Sequence, residues 1–150
     1  MTKSIPLFYA FDVPEGFDAP PTEKYESGIT PEFDFERGDF VCSGARKMVP
    51  IDGREAYVQW CQKIVRTERM AHLAYGDEIG VEMHAAMALD DPWAVKSAIE
   101  RTVTEALMVN KRTEYVRAFE FTMDGDELHV SFIVKGRDFE EERLNVRMDT

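Results

Sequence analysis

Phe119-Glu120-Phe121-Thr122-Met123-Asp124-Gly125, followed after Asp126-Glu127 by Leu128-His129-Val130-Ser131-Phe132-Ile133-Val134, decides the fold. Apolar residues alternate with others at period two on both sides of an Asp-Gly pair. That pattern predicts two half-buried strands joined by a tight hairpin. Leu144, Val146 and Met148 repeat the alternation. The last third of the chain therefore reads as a three-stranded antiparallel meander with one apolar side.

Upstream the period changes to 3.6. Asp91-Pro92 opens a helix, the acid as cap and the proline at the first helical position. Its stripe is Val95, Ala98, Ile99, Thr102, Val103 and Ala106, and Asn110 ends it. Trp93 lies off the stripe, so it is expected to cover the preceding loop, with a contact to another subunit as the alternative. A shorter helical patch carries Ile79, Met83, Ala86 and Met87. Asp52 opens a further helix, with Glu55 three residues on as a reciprocal cap. There Tyr57, Trp60, Cys61, Ile64 and Val65 share one stripe. Two amphipathic helices are natural cover for the open apolar side of a sheet. The predicted fold class is α+β: two layers, an antiparallel meander packed against two main helices.

The first 31 residues differ. Pro6, Pro14, Pro20, Pro21 and Pro31 exclude a long helix or central strand there. Phe8, Tyr9, Phe11, Phe17 and Tyr25 are too many rings for a free tail. Residues 1–31 are read as an extended arm lying against a surface, and residues 32–150 as the folded domain. Phe33, Phe35, Phe40 and Cys42 alternate around Arg37-Gly38, a short hairpin; Arg-Gly-Asp at 37–39 is turn chemistry.

With 150 residues, 44% apolar and 31% charged, the chain is one globular domain. Such a length buries roughly 70% of its unfolded surface without metal or disulfide staples. The longest apolar run, Leu7–Phe11, is too short to span a membrane. The opening residues show no apolar core and cleavage site of a secretory signal. Cys42 and Cys61 form no metal spacing, so two free thiols are expected. The net charge of −11 argues against nucleic acid as a partner. Charge is uneven, however. Residues 41–75 carry Arg46, Lys47, Arg54, Lys63, Arg66 and Arg69 against Asp52, Glu55 and Glu68. A basic middle between acidic flanks is either a surface for something acidic or an ordinary solvated face.

Catalytic signatures are missing: no phosphate-cradling glycine loop, no His-Glu-x-x-His, no Cys-x-x-Cys and no Gly-x-Ser-x-Gly. His72 falls four residues after Glu68, which puts both on one face of a continuing helix, but no third ligand follows and no metal is expected. Rotated onward along the helix that Asp52 opens and Thr67-Glu68-Arg69 ends, Glu68 lands on the apolar stripe. An acid there needs a cation or several backbone N–H donors. Arg69 is adjacent but about 100° away. Either the helix ends and the two converge into a desolvated pair, or each has its own partner. As the one acid expected on a buried stripe, Glu68 is also the sole candidate general acid; an arginine beside it suits a structural role better.

Several of these residues carry a resemblance. Asp34-Phe35 precedes a turn with Gly38, Asp52-Gly53 leads to Glu55-Ala56 and Gln59-Trp60, and Thr67-Glu68-Arg69 is followed by Tyr75-Gly76. Glu105-Ala106-Leu107 then precedes the Val116–Phe121 and Leu128–Val134 strands. Over Phe33 to about Met148 the chain resembles the XkdS-like contractile-phage tail proteins, relatives of the lysozyme-like baseplate wedge family of contractile tails and type VI secretion baseplates. It departs from those wedge proteins in having Glu-Arg where they carry Glu-Pro-Arg, and His72 where an aromatic is expected. The resemblance implies a structural, non-enzymatic subunit of a virion tail baseplate, assembled in the host cytoplasm. It would link wedge proteins with tail sheath and tube or hub, and help start the sheath. It implies no cofactor and no membrane partner, and several copies, six for example, only within the assembled baseplate. Thr67, Glu68, Arg69, Tyr75, Gly76 and Trp93 are the expected partner-binding residues. A small peptidoglycan hydrolase using Glu68, or a soluble regulatory adaptor, are the alternatives.

Overall fold

The computed structural model describes residues 28–149. In chain order it runs β1 (Thr30–Pro31), β2 (Phe33–Asp34), β3 (Asp39–Phe40), β4 (Pro50–Ile51), α1 (Gly53–Val65), α2 (Met83–Met87), α3 (Pro92–Met108), β5 (Thr113–Asp124), β6 (Glu127–Gly136) and β7 (Glu141–Asp149). Most of the expected arm, residues 1–27, lies outside the described residues. Its last two positions, Thr30 and Pro31, pair antiparallel with Ile51 and Pro50. β2 and β3 form the expected hairpin, closed by Gly38 at φ +69°.

The fold is α+β. β5, β6 and β7 make the meander in that spatial order, all antiparallel. On β6 the alternation is strict: Leu128, Val130, Phe132 and Val134 are buried, and Leu144 and Val146 of β7 join them. β5 departs from a plain period of two. Arg117 pairs with Ile133 but Glu120 with Ser131, so one extra residue bulges out, with Ala118 left-handed at φ +57°. The bulge reverses the alternation, so that Val116 and Phe119, an odd number of residues apart, both pack against the core. Phe119 and Phe121 meet the apolar expectation as half-buried rings, Phe119 stacked on Phe132 at 5.3 Å. Met123 does not: it is 60% exposed, near the turn and beyond the helical cover.

α3 packs on the β5 side and α1 on the β7 side. Ile99, Thr102, Val103, Ala106 and Leu107 of α3 are buried, and the Asp91 carboxylate accepts from Ala94 N at 3.1 Å as a true cap. Tyr57, Cys61, Ile64 and Val65 of α1 face them, with Trp60 half-buried. The reciprocal cap expected of Asp52 and Glu55 is not made: Asp52 has no side-chain cap bond. The first helical residue, Gly53, is left-handed (φ +52°), which turns the chain away from the geometry that would aim Asp52 at the first-turn amides. Tyr57 ties the layers together, its hydroxyl 2.9 Å from the buried Thr113 Oγ1 and its ring stacked on Phe139. Gly136 allows this, because a Cβ there would sit 2.6 Å from Phe139 Cδ2.

Candidate partner-binding site

α1 stops at Val65, before the rotation that would carry Glu68 into the core is completed. Thr67 Oγ1 donates to Lys63 O at 2.8 Å and closes the last turn. The chain then runs straight enough for Glu68 to pair with Val81 as an isolated parallel bridge. Val81 N donates to Thr67 O (2.9 Å) and Arg69 N to Val81 O (2.8 Å). The two strands touch at Gly80. Its φ is +99°, and a Cβ there would lie 2.5 Å from Thr67 O, so only glycine fits.

Glu68 finds the backbone donors that its place in the sequence demands. Its carboxylate accepts from Met83 N at 3.1 Å and from His84 N at 3.4 Å, and lies 3.3 Å from His84 Nδ1. The side chain is 28% exposed, half-buried and not sealed in the core. Arg69, 18% exposed, turns the other way: Nε and Nη2 donate to Gly80 O at 3.3 and 3.2 Å, and Nη1 reaches Glu82 Oε1 at 3.3 Å. The converging Glu68–Arg69 pair is therefore not formed, and each side chain has its own partners. The physical reason is the extended backbone between them, which sends neighbouring side chains to opposite sides.

Thr67, Glu68 and Arg69 thus act as a clip. One closes α1, one holds the start of α2, one holds the turn at Gly80. What the clip holds out is the segment 70–79. Leu73 on it is fully exposed, Met70 (left-handed, φ +62°) largely so. Tyr75 sits edge-on to His72 at 5.8 Å, with Lys63 Nζ 5.3 Å above its ring. His72 therefore shares no helical face with Glu68. Gly76 has open space around it and no positive φ, so nothing steric requires glycine there. Trp93 stands apart from this group on the first turn of α3. It is 77% exposed and does not cover the preceding loop; among the described residues Lys96 stands over its ring, at 5.5 Å.

Beside the clip runs a cleft of about 670 Å³ with an apolar floor of Val65, Val81, Met87 and Val146 and a polar rim of Arg66, Glu68 and His84. Arg66 also lies 4.7 Å over the Phe35 ring, and its partial burial lowers its pKa. Among the described residues Glu68 is the only carboxylate lining the cleft. Among the described residues no three His, Cys, Asp or Glu side chains gather to hold a metal, and no helix is long and apolar enough to cross a membrane. Gly80 and the amides of Met83 and His84 escaped the sequence reading. Only the isolated glycine between Ile79 and Val81 could have signalled a close backbone approach.

A clip of this kind on a two-layer α+β scaffold is consistent with the tail-protein resemblance, and the comparisons with known proteins establish the family. The contractile injection system sheath initiator model matches residues 29–138, and the chain belongs to that family, structural components of contractile tails with a role in sheath initiation. Among individual proteins, the chain is 31% identical over 116 residues to the phage-like element PBSX protein XkdS of Bacillus subtilis strain 168, covering 76% of this chain and 78% of that protein.

Proposed function

We propose that the chain is a non-enzymatic subunit of a tail baseplate with a lysozyme-like domain over residues 32–150, joining wedge proteins to tube and sheath. Thr67, Glu68 and Arg69 position the contact, and the segment bearing Leu73, Tyr75 and Gly76 makes it, together with the adjoining cleft. The observation that carries this reading is the clip itself. Three polar side chains hold out a segment on which Met70, Leu73 and Tyr75 stand exposed among the described residues. Apolar surface displayed on a braced loop is recognition surface. The edge of β7, which pairs with no further strand among the described residues, supplies a second element, a template onto which a sheath strand adds. Residues 1–31 serve as an arm that binds a neighbour, and the protein acts in the virion, after assembly in the host cytoplasm.

The backbone amides of Met83 and His84 already engage the Glu68 carboxylate, which suits a structural role better than a general acid.

The test is Leu73→Asp, with Arg69→Ala beside it. Leu73 is fully exposed among the described residues, so its variant should melt like the parent yet give tails without normal sheaths in electron micrographs. Arg69→Ala frees the Gly80 turn and should give the same defect. Normal sheathed tails from both variants would sink the proposal.

A further inference from the structure

The first described residue, Gly28, lies in a groove of its own domain. Gly28 and Thr30 run along a cavity of about 260 Å³, with Trp60 and Lys63 of α1 as one wall and Asn110 and Arg112, just after α3, as the other. Gln59 pins the chain at the mouth. Its Nε2 donates to Pro31 O at 2.9 Å, and its Oε1 accepts from Phe33 N at 2.7 Å. Ile29, between Gly28 and Thr30, is 75% exposed and does not line the groove. Even-numbered residues thus face the groove and odd-numbered ones face away, the period of an extended chain.

The groove has cations and, among the described residues, no carboxylate to meet them. Lys63 is exposed, its Nζ 5.3 Å over the Tyr75 ring. Arg112 donates Nη2 to Gly53 O at 3.3 Å and has further donors to spare. Neither makes an ion pair among the described residues. Between them the Trp60 ring, stacked on Tyr57 at 6.4 Å, is half-buried. Two cations beside an indole suit one occupant, an acid on an apolar stem.

We propose that this occupant is Glu26 of the same chain, its carboxylate between Lys63 and Arg112 and its methylenes against Trp60. Carried two residues back from Gly28, the period of two brings Glu26 to the groove side, within about 7 Å of chain. So short a tether holds the acid at high effective concentration, so a pair that is weak between separate molecules is populated here. The inference rests on reading residues 1–31 as an arm, and adds where that arm is rooted. Tyr25 then turns outward with Ile29. Because Lys63 also reaches Tyr75, the root stands beside the 70–79 segment, and a partner that meets one meets the other.

Trypsin and NMR on the full chain test this. Lys24 is a cleavage site two residues from the contact, and Lys3 is a remote reference. Lys63→Glu should speed cleavage after Lys24 roughly threefold to fivefold, the size of an exposed ion pair, and leave cleavage after Lys3 unchanged. Lys63→Arg should keep the parent's rates. The Lys63 side chain is exposed, so both variants should melt close to the parent. Glu26 should titrate below the ordinary glutamate value of about 4.3, and Lys63→Glu should raise it. Equal rates after Lys24 in the parent and in Lys63→Glu, or an ordinary Glu26 titration in the parent, would overturn the seat. So would protection of Lys24 that grows with protein concentration, which would put a second copy's arm in the groove. These readouts use the free protein, so they hold or fail separately from the sheathed tails that test the proposed function.

Discussion

Cys61 and Cys42 show how far burial sets the chemistry of one residue. Cys61 is sealed under α1, and burial pushes its thiol up from 9.0 to about 12. Burial likewise raises the neighbouring Tyr57 phenol. Cys42 is an exposed thiol on the 40–49 turn. A thiol reagent at pH 8 should therefore modify one cysteine per native chain and two per unfolded chain. The linkage has a definite sign. A folded pKa raised above the unfolded one means that the native state holds its proton more tightly. This contribution is fully present below about pH 9 and is lost as pH climbs from 9 toward 12. Urea midpoints measured from pH 8 to 11 should fall, and Cys61→Ala should flatten the fall. A midpoint unmoved by pH would contradict the buried thiol.

At the scale of elements, two helix starts that look alike in sequence behave differently. Asp52 and Asp91 both precede an apolar stripe. Only Asp91 bonds to its helix, through Ala94 N, with Pro92 ready at the first position. Losing an N-cap bond costs roughly 1 kcal/mol, so Asp91→Ala should lower the unfolding free energy by about that much. Asp52→Ala should change it by no more than a few tenths, and equal losses in both would contradict the geometry. The difference lies in Gly53, whose left-handed backbone is invisible in a cap pattern read from residue types. The β5 bulge was hidden for a related reason. Val116 and Phe119 fall out of phase with each other, and a period of two has no place for Ala118 until β6 supplies the register. By contrast α3, β6 and β7 were legible, because burial follows one local period along each, in β7 as far as Val146; the Met148 side chain lies outside the described ones. Glu68 was half legible. Its need for backbone donors followed from its spacing, but the donors come from Met83 and His84, fifteen and sixteen residues on, across a turn that no local pattern describes.

For the whole molecule the governing quantity is a net charge of −11, distributed so that close pairs are attractive and distant ones repulsive. On the open face of the sheet Arg143 meets Glu120 at 2.9 Å and Lys135 meets Glu114 at 2.6 Å, with Arg117–Glu141 and Arg147–Glu127 beside them. Such exposed pairs contribute little one by one, because water screens them and long side chains must be held in place. Salt screens charges separated by more than a Debye length, about 10 Å at 0.1 M, before it touches pairs in contact. The excess of like charge is spread over longer distances than that and so is screened first. The melting temperature should therefore rise between roughly 20 and 200 mM salt, although every ion pair on the sheet taken alone argues for a fall. A melting temperature that fell with added salt would mean that the sheet's ion pairs, and not the overall repulsion, govern how this acidic chain holds its shape.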